Sequence, residues 1–153
     1  MYTRRAWLHA ALAGGTAMVV SPRLIAAQTK PVITVYKSPT CGCCEDWCKH
    51  MSANGFTVRS IDVDDTSAIK AKFGVPDALL SCHTGSVGGY AVEGHVPADL
   101  IHKLLREKPA VAGIAVPGMP MGAPGMDQQA GRRDRYTVFL FERNGRTREY
   151  ARR

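Results

Sequence analysis

Val32-Ile-Thr-Val-Tyr36 is a short β-branched and aromatic run, and it predicts a strand that Ser38-Pro39-Thr40 brings to an end. A helix is predicted from Cys43 to Asn54, with Trp47 and Met51 on one face and Gly55 as its stop. Phe56 to Val63 predicts a second strand. Asp65-Thr66-Ser67 can cap a second helix, Ala68 to Phe73, closed by Gly74. After Val75-Pro76, the run Leu79-Leu80-Ser81-Cys82 predicts a third strand. Ser86 to Glu93, with Gly88-Gly89 and a Tyr-Ala-Val run, predicts another. Pro97 opens a helix that runs through Arg106. Lys108 to Gly131 is rich in Gly, Pro and Met and predicts a loop. Tyr136 to Phe141 and Thr147 to Tyr150 flank Asn144-Gly145, a strong hairpin signal. No internal repeat is visible.

This order places cysteines where the first strand meets the first helix, which is the thioredoxin-like arrangement. The expected fold is α/β, with a central mixed sheet flanked by helices and a C-terminal hairpin. Such a fold also puts a proline before the third strand, facing the cysteines, and Gly74-Val-Pro76 fits that slot. The sequence leaves the Val75–Pro76 bond open between cis and trans.

The chain has 153 residues, enough for one domain with one core. A hydrophobic content of 45% with 22% charged residues is globular composition and excludes a disordered chain. The N-terminus reads as an export signal: Arg4-Arg5 precede an apolar run from Ala10 to Val20 that is too short to span a bilayer. Thr3-Arg-Arg-Ala-Trp-Leu8 resembles a twin-arginine (Tat) signal, with an ordinary Sec signal or an uncleaved anchor as the alternatives. The expected division is residues 1–27 as signal and residues 28–153 as a single periplasmic domain without a membrane span. Of the net charge of +7, three arginines lie in the signal, which leaves +4 on the mature chain. The remaining basic residues concentrate near the C-terminus. No aromatic residues alternate with them, so they read as a solvated edge rather than a nucleic-acid surface.

The candidate chemistry is concentrated in Cys41-Gly-Cys43-Cys44, with Cys48 one turn later. A helix N-terminus stabilises thiolates at such a junction. Cys41 and Cys44 have the C-x-x-C spacing of a dithiol catalyst, but such a catalyst needs one attacking and one resolving thiol, and Cys43 is then superfluous. Three thiolates at one helix end form a compact soft donor set suited to Cu(I) or Zn. A structural disulfide, including one with Cys82, is a further alternative. Cys82 ends the predicted third strand and can complete a four-sulfur site, while His83 should point to the opposite side of a regular strand. His95, in the loop Glu93-Gly-His-Val-Pro97, ranks first among the histidines, followed by His83 and then His50. His102 falls on an expected exposed helix face. Cys48 reads as a small helix residue. Met119, Met121 and Met126 offer thioethers, which are soft Cu(I) ligands, although side chains packed on the core would give the same pattern.

Together these segments resemble the CopG-type copper-resistance family, small exported thioredoxin-like proteins long catalogued as a domain of unknown function. The resemblance rests on Thr40-Cys-Gly-Cys-Cys44 with Trp47 and His50, Val75-Pro76, Ser81-Cys-His-Thr84, Gly89-Tyr90, Glu93-Gly-His-Val-Pro97, Pro117-Gly-Met-Pro and Gly122-Ala-Pro-Gly-Met126. It implies periplasmic copper binding with a role in copper tolerance. The implied metal ligands are Cys41, Cys43, Cys44 and Cys82, supported by a histidine, for which His95 is the choice. Cys48 lies outside the pattern. Several Cu(I) ions in a small sulfur-bridged cluster, with a redox step, fit this reading; Zn fits the donor set less well. Copper ions and other periplasmic copper-handling proteins are the expected partners. A periplasmic thiol–disulfide oxidoreductase using Cys41 and Cys44, and a zinc-stabilised interaction domain, are the competing readings.

Overall fold

A computed structural model of the chain describes residues 29–126 and 133–153. The expected signal, residues 1–27, lies outside the described residues. β1 (Val32–Lys37) leads through α1 (Gly42–Ala53) to β2 (Thr57–Asp62), and α2 (Ser67–Phe73) follows. β3 (Thr84–Val87), β4 (Tyr90–Glu93), α3 (Ala98–Glu107), β5 (Gly113–Ala115), β6 (Thr137–Phe141) and β7 (Thr147–Arg152) complete the order. The strands form one mixed sheet in the order β2-β1-β3-β4-β5-β6-β7. β1 with β2 and β4 with β5 are parallel; the other neighbours are antiparallel.

Alternation along the strands divides the core into two layers. Ile33, Val35, Val92, Ile114, Val138 and Leu140 meet Trp47 and Met51 of α1 and Ile101 and Leu104 of α3. Ala91, Ala115 and Phe141 face the other way, toward Val75, Leu79 and Phe73 at the end of α2. Helices therefore cover both faces of a central sheet, and β6 and β7 form the C-terminal hairpin: the thioredoxin-like fold. Among the described residues no helix is long and apolar enough to cross a membrane.

Three elements differ from expectation, the first two through short-range backbone chemistry and the third through long-range pairing. Leu79 to Cys82 is not a strand. Pro76 starts a turn of 3-10 helix at Asp77–Leu79, so Leu79 is buried while Leu80 is 41% exposed. The strand begins two residues beyond Cys82. Ser86 to Glu93 is not one strand either. Gly88 and Gly89 both have positive φ, 56° and 86°, and make the two-residue turn joining β3 to β4. Finally, β5 crosses the region expected to be loop. It is only three residues long, and a Cβ on its Gly113 would lie 2.6 Å from the Phe141 ring.

All described peptide bonds are trans, including Val75–Pro76. Immediately before β3, where the fold was expected to present a proline, the chain carries Cys82 and His83.

Candidate metal centre

The site lies where three segments meet. The first is the start of α1. Cys41 is its N-cap residue, with φ −81° and ψ 91°, and Cys43 and Cys44 occupy its first turn. The buried Lys37 ammonium pairs with Glu45 at 2.5 Å and Asp62 at 2.7 Å, tying this turn to the ends of β1 and β2. Cys41 and Cys44 are joined as a disulfide, S–S 2.02 Å, leaving Cys43, Cys48 and Cys82 as thiols.

The second segment carries Cys82 and His83. Cys82 Sγ lies 3.6 Å from Cys44 Sγ, and Cys43 Sγ lies 3.6 Å from Cys41 Sγ. The sulfurs of Cys41, Cys43, Cys44 and Cys82 all lie within 4.8 Å of one another. Because residues 81–83 are not a regular strand, His83 does not point away from Cys82 as expected. Its Nδ1 lies 3.3 Å from the Cys82 sulfur, and its ring packs on Trp47 with centroids 4.5 Å apart. His83 Nε2 is buried with no hydrogen-bond partner among the described residues.

The third segment is the β4–α3 connection. Gly94, at φ +71°, turns the chain into His95; a Cβ there would lie 2.5 Å from both Ser81 Oγ and the Val116 carbonyl. Trp47 Nε1 donates to the Val96 carbonyl at 2.9 Å, fastening this connection to α1. His95 Nε2 lies 3.1 Å from Cys82 Sγ, and its Nδ1 lies 2.8 Å from the Pro124 carbonyl. A carbonyl can only accept, so Nδ1 carries the proton and Nε2 turns a lone pair toward the sulfur. Cys82, His83 and His95 thus form a second close group, sharing Cys82 with the first.

Burial sets the protonation states. It pushes the Cys82 thiol up to about 12, with the negative charge of Cys43 adding to the effect. It holds His95 below the usual imidazole value. It holds His83 well below, with the charges of His95 and Lys70 acting in the same direction. Both rings are therefore neutral near pH 7, the form in which imidazole binds metals. Sulfur and neutral imidazole at this spacing fit a soft ion such as Cu(I).

The Met-rich segment lies across the site. Ser81 Oγ donates to the Gly118 carbonyl at 2.5 Å, and Gly118 N–H donates to the Leu80 carbonyl at 3.0 Å. Gly125 packs so closely on α1 that a Cβ would lie 2.7 Å from the Trp47 backbone nitrogen and 2.8 Å from the Cys43 carbonyl. Met119 is 53% exposed, and Met121 and Met126 are half-buried on this pinned segment.

The remaining candidates lie elsewhere. His50 Nε2 accepts the Ala98 N–H at 3.3 Å, at the start of α3. Cys48 is buried in the main core, and burial pushes its thiol up to about 11. His102 is not on a fully exposed face: it stacks on Phe56 and bonds the Asn54 carbonyl at 2.8 Å. Sequence reading missed Pro124 and Gly125 as residues that contact the site. Their place in Gly122-Ala-Pro-Gly-Met126, one of the segments that carry the resemblance, was the signal they offered.

Residues 79–126 match the family described as "Protein of unknown function, DUF411". Two solved structures, both named copper resistance protein copG (Form 1 and Form 2), are similar to this chain at 47% sequence identity with a TM-score of 0.76. Each match covers 81% of this chain and 98% of the other. No curated protein matches.

Proposed function

The chain belongs to the CopG-type copper-resistance family, and we propose that it is a periplasmic copper-tolerance protein that binds Cu(I) through the thiolates of Cys41, Cys43, Cys44 and Cys82, with His95 in support. The observation that carries this reading is the convergence of four sulfurs within 4.8 Å of one another, with an imidazole lone pair 3.1 Å from one of them. Four thiolates on one Cu(I) would carry excess negative charge; sulfurs shared among several ions reduce the charge per metal. A small cluster is therefore the state we assign to the loaded protein. His83 and the thioethers of Met119, Met121 and Met126 are secondary donors in this reading. The chain's own residues set the conditions for binding: the Cys41–Cys44 bond must be reduced before all four sulfurs can act as thiolates. The same pair supplies a redox step, in which two Cu(II) accept one electron each, the Cys41–Cys44 dithiol becomes the disulfide, and two protons are released.

The test is an anaerobic Cu(I) titration of the reduced mature domain against a competing chelator. We expect more than one Cu(I) per chain, retained far more strongly than Zn. Saturation at one Zn with no Cu(I) retained would overturn the assignment. Export is part of the proposal, with residues 1–27 acting as a Tat signal and residues 28–153 forming the single mature domain. Arg4→Lys with Arg5→Lys should hold the protein in the cytoplasm, and unchanged fractionation would remove the Tat route.

The Cys41–Cys44 disulfide favours one second reading, a thiol–disulfide oxidoreductase. In that case Cys43→Ser would keep insulin-type disulfide reduction, while Cys41→Ser and Cys44→Ser would abolish it.

A further inference from the structure

We propose that Lys70 and Glu93 are a positioning pair for the cysteine–histidine centre; this rests on the metal-binding reading above. Glu93 ends β4, is fully buried, and stands two residues before His95. Its Oε1 accepts from Lys70 Nζ at 2.5 Å and from the Ser81 N–H at 2.7 Å, and its Oε2 accepts from Thr84 Oγ1 at 2.7 Å. Lys70 Nζ also donates to Thr84 Oγ1 at 3.1 Å, and Gly94 N–H donates to the His83 carbonyl at 3.0 Å.

Ser81 and Thr84 bracket Cys82 and His83. One carboxylate therefore grips the irregular turn carrying those two ligand candidates on both sides, from the residue that leads into His95. Ser81 lies before β3, outside the sheet register, so Glu93 supplies its N–H with the acceptor that a strand would have supplied. Lys70 makes that carboxylate tolerable in the interior. A well-packed apolar pair could fill the same volume at equal or greater stability, but it could not accept the Ser81 N–H. Partners of this kind, which orient a ligand without touching the metal, typically change metal affinity when they are removed.

Two neutral double variants isolate the bond. Lys70→Met/Glu93→Gln keeps a carbonyl for Ser81, whereas Lys70→Met/Glu93→Leu does not, and neither leaves an unpaired buried charge. The first readout needs no metal: the alkylation rate of Cys82 in the reduced, folded protein. The Leu variant should react about tenfold faster than the Gln variant, the factor expected for one buried hydrogen bond. The second readout is Cu(I) affinity, which should be lower in the Leu variant by roughly 10- to 100-fold. Equal alkylation rates in the two variants would overturn the proposal, even if their melting temperatures differ. If the Leu variant does not fold, Thr84→Val replaces it; faster alkylation of Cys82 than in the parent supports the pair, and an unchanged rate overturns it. A parent protein that retains no Cu(I) would remove the metal reading, and the alkylation comparison would still decide the positioning role.

Discussion

Gly125→Ala separates the hold of the Met-rich segment on the site from ordinary loop strain. Gly125 has φ +84°, and a residue bearing a Cβ pays roughly 1–2 kcal/mol in that region. The new carbon would lie 2.7 Å from the Trp47 nitrogen, where ordinary contact begins near 3.4 Å, so the segment must withdraw by about 0.7 Å. Withdrawal of that size stretches the His95–Pro124 bond, now 2.8 Å, past hydrogen-bond length, at a net loss of about 1 kcal/mol. Gly118→Ala is the control: its φ is +67° and nothing lies within 4 Å of its Cβ, so it carries the strain alone. Gly125→Ala should therefore be more destabilising than Gly118→Ala by about 1–2 kcal/mol, or roughly 3–10 °C in Tm for a domain of this size. Calorimetry of the reduced, metal-free protein reads the difference, and Cu(I) affinity should fall only in Gly125→Ala. Equal melting temperatures and equal copper affinities for the two variants would refute the strap as a part of the site.

Cys43→Ser should impair Cu(I) loading as severely as Cys41→Ser, measured as ions retained against a chelator. Cys48→Ser should leave the loading unchanged and lower stability by about 1–3 kcal/mol, because a hydroxyl replaces a buried thiol in the core. Copper affinity should fall as pH drops, by about one log unit per pH unit for each thiol proton displaced. Cys82, pushed up to about 12, is protonated at neutral pH. The affinity should therefore keep rising above the free-thiol value of about 8.5 in the parent and level off earlier in Cys82→Ser, and identical pH profiles for the two would count against Cys82 as a ligand. His95→Ala should weaken binding or alter the copper spectrum. His102→Ala should lower only the Tm, since its partners are Phe56 and Asn54.

Elements with a complete local signal were legible in the sequence. α1 was predicted between the Ser38-Pro39-Thr40 break and Gly55, α2 between Asp65 and Gly74, and the last hairpin around Asn144-Gly145. The cysteine group was legible because three of its members are nearly adjacent in the chain. His83 was misjudged because its direction depended on a strand that the Pro76 turn prevents from starting until Thr84. β5 was invisible because its pairing, with Ala91 to Glu93 on one side and Phe139 to Phe141 on the other, is entirely long-range. Lys70 lies on a short helix with no motif around it. Nothing nearby in sequence announces its partner Glu93, which is 23 residues away.

Cys82 belongs to both donor groups, the four sulfurs and the Cys82–His83–His95 trio. A thiolate at that vertex can bridge an ion in each group. Its proton has to leave only once, so the first ion to arrive bears the whole cost of deprotonation and the second finds the sulfur already charged. Filling of this kind is cooperative. At half-saturating copper, a population of molecules should then divide into empty and full, with few singly loaded chains between them, and native mass spectrometry of a partial titration would show that distribution directly.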